Sequence, residues 1–208
     1  MSAHYDYLTF TLERGRQAWT SFLEHVRDVA APAVAAAGGE LLGTFQGQLG
    51  FASNDAVVLL RFKSATRDRL RELDRAPCVV SMHPQVLTPT VRPKDDAALK
   101  AGGIYVHRWF IVDADAVAKF VELSNSAWKN FEGSYATEIF GLFTAERTAQ
   151  DIRDGAGRLL LLTYYASHGV WEESRDQTRD PNGLFAQRHA LTRSTIGRSS
   201  LLLPLRQA

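Results

Sequence analysis

Apolar and polar positions alternate from Tyr5 to Leu12, the period of a half-buried strand. From Arg14 the period lengthens. Ala18, Trp19, Phe22, Leu23, Val26, Val29 and Ala30 fall on one face of a helix. Pro32 disturbs this helix or its end, and Gly38-Gly39 stops it. Glu40 to Phe51 predicts a second strand, interrupted by glycine in the manner of a bulge. A turn at Ser53-Asn54-Asp55 leads into a third strand, Ala56 to Lys63, whose unbroken run Val57-Val58-Leu59-Leu60 predicts cover on both faces. Ser64 caps a short helix reaching Arg75, with Leu70 and Leu73 inward. Cys78 to Val91 is a fourth strand, and Pro84 and Pro89 push its later part to an edge or a loop.

After a polar stretch the order starts again. Ile104 to Val112 is a strand. Asp113 and Asp115 open a helix whose buried stripe is Val117, Phe120, Val121, Ala127 and Phe131. Glu138 to Ala145 and Arg158 to Ala166 are strands, separated by a turn at Asp154-Gly155-Ala156-Gly157. Ser167 caps a helical region broken at Asp180-Pro181-Asn182-Gly183 and resumed to Thr192; Ile196 to Leu205 is the last strand. Two strings repeat. Glu40-Leu41-Leu42-Gly43-Thr44-Phe45 parallels Glu138-Ile139-Phe140-Gly141-Leu142-Phe143, and Val57 to Phe62 parallels Leu159 to Tyr164. The pattern therefore predicts two units, 1–92 and 103–208, joined by a linker at 93–102. Each has the ferredoxin-like order β-α-β-β-α-β. A four-stranded sheet with helices on one side leaves its other side bare. The predicted class is α+β, with tandem antiparallel sheets forming an α/β barrel.

The tandem units, the opening Ile104-Tyr105-Val106-His107-Arg108-Trp109 and the Trp171 segment resemble the NIPSNAP family of the dimeric α/β-barrel superfamily. The likeness is clearest over Gly103 to Leu205 and extends over Tyr5 to Val91 by pattern. It implies the barrel fold and homo-oligomers, a dimer foremost. It implies no single reaction, because the superfamily includes cofactor-free oxygenases, heme-binding enzymes, polyketide cyclases and non-enzymatic proteins.

Composition narrows the partners. Over 208 residues the net charge is +1, with 45% apolar and 23% charged residues, which gives no global reason to expect nucleic acid or an anionic membrane surface. Cys78 is the single cysteine and cannot form a disulfide within the chain; a reducing cytoplasm is the expected home. Met1-Ser2-Ala3-His4 leads straight into the first strand, so no signal peptide is expected. The six histidines are scattered without HxxxH or CxxC spacing, so no metal site and no cofactor are expected, although a heme held by one histidine stays open.

Matching Glu13 with Asp113 superposes the two first strands. Tyr5, Tyr7 and Thr9 then share a face with Tyr105, His107 and Trp109, while Leu8, Phe10, Leu12, Val106, Phe110 and Val112 turn to the helices. Asp6 and Arg108 interrupt the helix-side row and are read as reaching solvent at a sheet end. The aromatic row suits a small apolar or aromatic molecule, with Arg61, Thr163 and Gln46 as companions. His107 is the candidate acid/base because histidine titrates near neutrality. Tyr7 and Tyr105 would hold an enol or phenol oxygen, and Trp109 would stack. Each of these residues also serves as ordinary packing. A second cluster, Trp171, Glu172, Glu173, Arg175, Arg188 and His189, surrounds the broken helix as a lid, an oligomer contact or a solvated face. The functional reading is a small-molecule-binding protein. Its rivals are a cofactor-independent oxygenase, isomerase or cyclase, and a non-catalytic oligomerising protein.

Overall fold

A computed structural model of the chain describes residues 3–62, 71–94, 96–176 and 183–204. The chain divides into two compact units, Met1–Leu87 with Ser200–Ala208, and Thr88–Ser199. The described residues between 88 and 102 thus go with the second unit, and residues 200–204 with the first.

In the first unit the order is β1 (His4–Leu12), α1 (Arg16–His25), α2 (Ala31–Ala36), β2 (Gly39–Gly47), β3 (Asp55–Phe62), α3 (Arg71–Asp74) and β4 (Val79–Pro89). The antiparallel ladder runs β4-β1-β3-β2. Leu8, Phe10 and Leu12 alternate onto the helix side of β1 and meet Phe22, Val26, Ala30 and Val34, which recur every four residues. The Phe10 and Phe22 rings lie 5.1 Å apart. The turn Val26–Ala30 between α1 and α2 is π-helical. Pro32 follows it; proline has no N–H and crowds the carbonyl four residues back, which the wider turn relieves. Gly38, at φ 71°, ends the helix in the left-handed region. Pro84 sits inside β4 opposite Leu8, and the strand continues to Pro89 instead of turning into an edge or a loop. The Ser64 cap and Leu70 lie outside the described residues; Leu73 is fully buried.

The second unit contains β5 (Ile104–Asp113), α4 (Val117–Ser134), β6 (Thr137–Ala145), α5 (Ala149–Arg153), β7 (Ala156–Tyr165), α6 (His168–Glu173), α7 (Leu184–Ala190) and β8 (Thr192–Leu203). Its ladder, β8-β5-β7-β6, repeats the strand arrangement of the first. The fold is α+β, of tandem ferredoxin-like repeats in the α/β-barrel class. The duplication reaches local detail, because pairing slips between Leu41 and Gly43 in β2 and between Ile139 and Gly141 in β6. Val170 N–H donates to the Ser167 side chain at 3.2 Å, the expected cap of α6. Helix α5 has no counterpart in the sequence reading. Thr148 caps it, and Asp151 returns the bond to the Thr148 backbone. Of the expected break around Pro181, residues 177–182 lie outside the described residues, and Gly183 opens α7 at φ 60°. Among the described residues no helix is long and apolar enough to cross a membrane.

Candidate ligand-binding site

The two ladders set which residues of the repeats correspond. Tyr5 pairs with Arg61 and Glu40 with Arg61; Tyr105 pairs with Tyr164 and Glu138 with Tyr164. Arg61 therefore matches Tyr164, Leu60 matches Thr163, and Phe62 matches Tyr165. This is one residue away from the match suggested by the apolar strings. In a strand a slip of one residue reverses every side chain.

With that register, three helix-side positions differ in character between the repeats. Leu8, Leu60 and Phe62 belong to the continuous apolar core of the first unit. Their counterparts in the second unit are Arg108, Thr163 and Tyr165. These three line a cavity of about 460 Å³ inside the second unit. Its floor is the helix side of β5 and β7, with Val106, Phe110 and Leu161. Its walls are Ala127, Trp128 and Phe131 of α4 and the segments around α6 and α7. The volume is in the range of small-molecule sites. A buried hydroxyl and a guanidinium cannot pack as leucine does, since each needs polar company. The remaining apolar cluster of this unit, from Phe110 and Val112 to Phe120, Trp128 and Leu159, holds α4 beside the cavity.

Three arginines converge there. Arg108 rises from the sheet, Arg175 follows α6, and Arg188 reaches in from α7. The Arg188 guanidinium lies 5.0 Å from the Phe185 ring centre, 5.3 Å from Phe110 and 5.5 Å from Phe120. Aromatic faces stabilise such a cation and fix its orientation. Burial pulls the Arg108 pKa below its ordinary value, Tyr165 opposes that, and Arg175 adds to it. Burial pushes the Tyr165 phenol up; a hydrogen bond with Ser174 and the charges of Arg108, Arg188 and Arg175 pull the other way. The result is a neutral phenol, 5% exposed, in a cationic field. Asn130, Ser134, Asp176, His189 and Thr195 add to the polar lining.

The sequence-derived candidates lie elsewhere or divide. Tyr105, His107 and Trp109 are on the opposite side of β5 from α4, as expected from alternation. Tyr5 and Tyr7 belong to the first unit. The Tyr105 hydroxyl donates to the Lys100 carbonyl at 2.9 Å, and its ring meets Tyr164 edge-on. His107 is fully buried, and burial together with the Arg198 charge pushes its pKa down to about 3. The imidazole is therefore neutral at pH 7 and does not titrate near neutrality, which corrects the reason for choosing it. Arg61 does lie in the Tyr5 row and binds Glu40 at 2.5 Å. Thr163 and Gln46 do not lie in the aromatic row. Thr163 pairs with Val106, and Gln46 pairs with Ala56, which faces Phe10; both are on the helix side. Arg108, read as reaching solvent, lines the cavity instead. Arg175, Arg188 and His189 of the second cluster meet at the cavity. Trp171 stands beside His168, with ring centres 6.3 Å apart.

No family profile matches the chain, and no curated protein matches it. Solved structures do. A monooxygenase candidate from Fusobacterium nucleatum aligns over 98% of this chain and 93% of its own at 9% identity and a TM-score of 0.64. An anthrone oxidase-like protein aligns over 98% and 92% at 12% identity and a TM-score of 0.59. A heme-binding protein from Thermus thermophilus aligns over 99% and 93% at 12% identity and a TM-score of 0.56. At such identity the likeness shows the fold alone, that of ferredoxin-type proteins, and does not reach the NIPSNAP family.

Proposed function

We propose that this chain is a small-molecule-binding protein whose ligand, flat and mainly apolar or aromatic, occupies the cavity of the second unit. One observation carries the reading. On the helix side of the duplicated sheet Leu8, Leu60 and Phe62 belong to the apolar core of the first copy, and their counterparts in the second, Arg108, Thr163 and Tyr165, line the cavity. Placing a guanidinium and two hydroxyls at positions that are apolar core in the other repeat is costly, since polar groups drawn from water need polar partners. An occupant that covers Val106, Leu161 and Phe131 would recover apolar burial, and the polar groups would orient it.

A second reading is catalytic turnover of such a molecule without a cofactor, as an oxygenase, isomerase or cyclase. It draws on the names of the structural neighbours, a monooxygenase candidate and an anthrone oxidase-like protein. It also draws on the Tyr165 phenol and the arginines, which would stabilise an enolate oxygen formed on the substrate.

Calorimetric titration with 2-naphthol, a compact two-ring phenol, tests the binding reading. Saturable one-site binding is expected, abolished in Ala127→Phe, whose added ring would occupy the cavity, while the variant's circular dichroism spectrum stays unchanged. Equal binding by a folded Ala127→Phe protein would remove the site from this cavity.

A further inference from the structure

We propose that the cavity selects an anion: an aromatic or apolar ligand whose carboxylate or enolate oxygen sits among Arg108, Arg175 and Arg188, beside the Tyr165 hydroxyl. This rests on the binding reading above and specifies the ligand's charge.

Several cations elsewhere in the chain meet acids: Arg61 meets Glu40, Arg92 Glu132, Arg158 Asp151, and Arg193 Asp113. Among the described residues no carboxylate forms an ion pair with Arg108 or Arg175. Arg108 is half-buried in the middle of an otherwise apolar strand face, where Leu8 stands in the first repeat. A guanidinium drawn out of water without a counter-charge is expensive, and an anionic ligand would offset that cost on binding. Among the described residues the cavity lining holds Arg108, Arg175 and Arg188 against Asp176, with His189 at the rim. Arg188 is held by three phenyl rings, so its guanidinium loses little freedom when it engages an oxygen pair. Planar guanidinium groups match a carboxylate or enolate edge in two parallel hydrogen bonds. The Tyr165 O–H adds a neutral donor, because burial keeps the phenol protonated. The apolar floor would take the rings of the same ligand, so one molecule would satisfy both halves of the site.

The test compares 2-naphthoate with 2-naphthamide, which share shape and differ in charge, by calorimetry at pH 7.5. Naphthoate is expected to bind at least tenfold more tightly, and added sodium chloride to weaken naphthoate alone. Arg108→Met should bring the two affinities together while naphthamide binding persists, which also reports that the variant is folded. Arg175→Met, at the exposed rim, should narrow the ratio in the same direction. Equal affinities in the wild-type protein, a preference for the amide, or a ratio unmoved by both substitutions would overturn the anion assignment and leave the cavity reading standing. Failure of both probes to bind would overturn the cavity reading itself.

Discussion

Replacing His107 by glutamine should make the protein less sensitive to acid. The imidazole is fully buried in the folded state, where burial and the neighbouring Arg198 charge bring its pKa down to about 3. In the unfolded chain a histidine titrates near ~6.5. Above pH ~6.5 both states carry the neutral ring, so the residue's contribution to stability is fully present. As the pH falls, the unfolded state takes up the proton first, and stability is lost progressively until the folded pKa is reached. The linkage integral gives a loss of about 2 kcal/mol at pH 5 and about 3 kcal/mol at pH 4 from this one group. Glutamine keeps a polar side chain of similar reach but cannot be protonated. Urea unfolding at pH 7.5, 6 and 5, followed by circular dichroism, reads the difference between the two proteins. All other titrating groups are shared and cancel. The variant's deficit at pH 7.5 should shrink by about 2 kcal/mol at pH 5, and its sign can reverse. A deficit that does not change with pH would show that His107 keeps an ordinary pKa, and the buried, neutral assignment would fail.

Two further substitutions, one with a control, probe the second unit. Gly103 has φ +58°, and a Cβ there would stand 2.2 Å from the Tyr165 carbonyl oxygen, so Gly103→Ala should cost more than about 2 kcal/mol and lower the melting temperature by roughly 5 °C or more. The control is Gly133→Ala in α4, where a Cβ meets nothing within 4 Å; it should stabilise by about 0.5–1 kcal/mol, and a drop of equal size in both would refute the clash. Burial alone would raise the pKa of Asp151, but hydrogen bonds from Arg158 and Thr148 outweigh it and bring the carboxyl down to about 2. Its stabilisation is present above an unfolded pKa of ~3.9 and lost as the pH falls through the folded value, so Asp151→Asn should cost roughly 2 kcal/mol at pH 7. The gap should close between about pH 4 and pH 2; a constant gap across that window would show that the carboxylate charge contributes nothing to α5.

Much of the framework was legible because long elements repeat their period many times. β1 and β5 alternate clearly, and the stripes of α1 and α4 place Phe22 and Phe120 in the cores where they are found. The repeated Glu-x-x-Gly string marked the start of β2 and β6 and, in the structure, their shared bulge. Strand parity was the difficulty. Val57 to Leu60 and Leu159 to Leu162 are apolar on both faces, so they contain no alternation from which to read a register. Aligning the strings by apolar content matched Arg61 with Thr163, and the one-residue slip put Thr163 on the wrong face. A correct register would have set Thr163 and Tyr165 against Leu60 and Phe62. With Arg108 against Leu8, three polar exceptions would then have gathered on one helix-covered face. The strand pattern alone sets Arg108 at a sheet end, because nothing in a single strand distinguishes an exposed arginine from one that lines a cavity. Helix α5 is five residues long, too short to show a period, and Thr148-x-x-Asp151 was its one signal.

Soaking crystals with 6-bromo-2-naphthoate and locating the bromine by anomalous scattering tests the ligand site most directly. A single strong peak is expected in the second unit, between Leu161 and Phe131, with the carboxylate among Arg108, Arg175 and Arg188. A peak beside Tyr105 and His107, with none between Leu161 and Phe131, would contradict it.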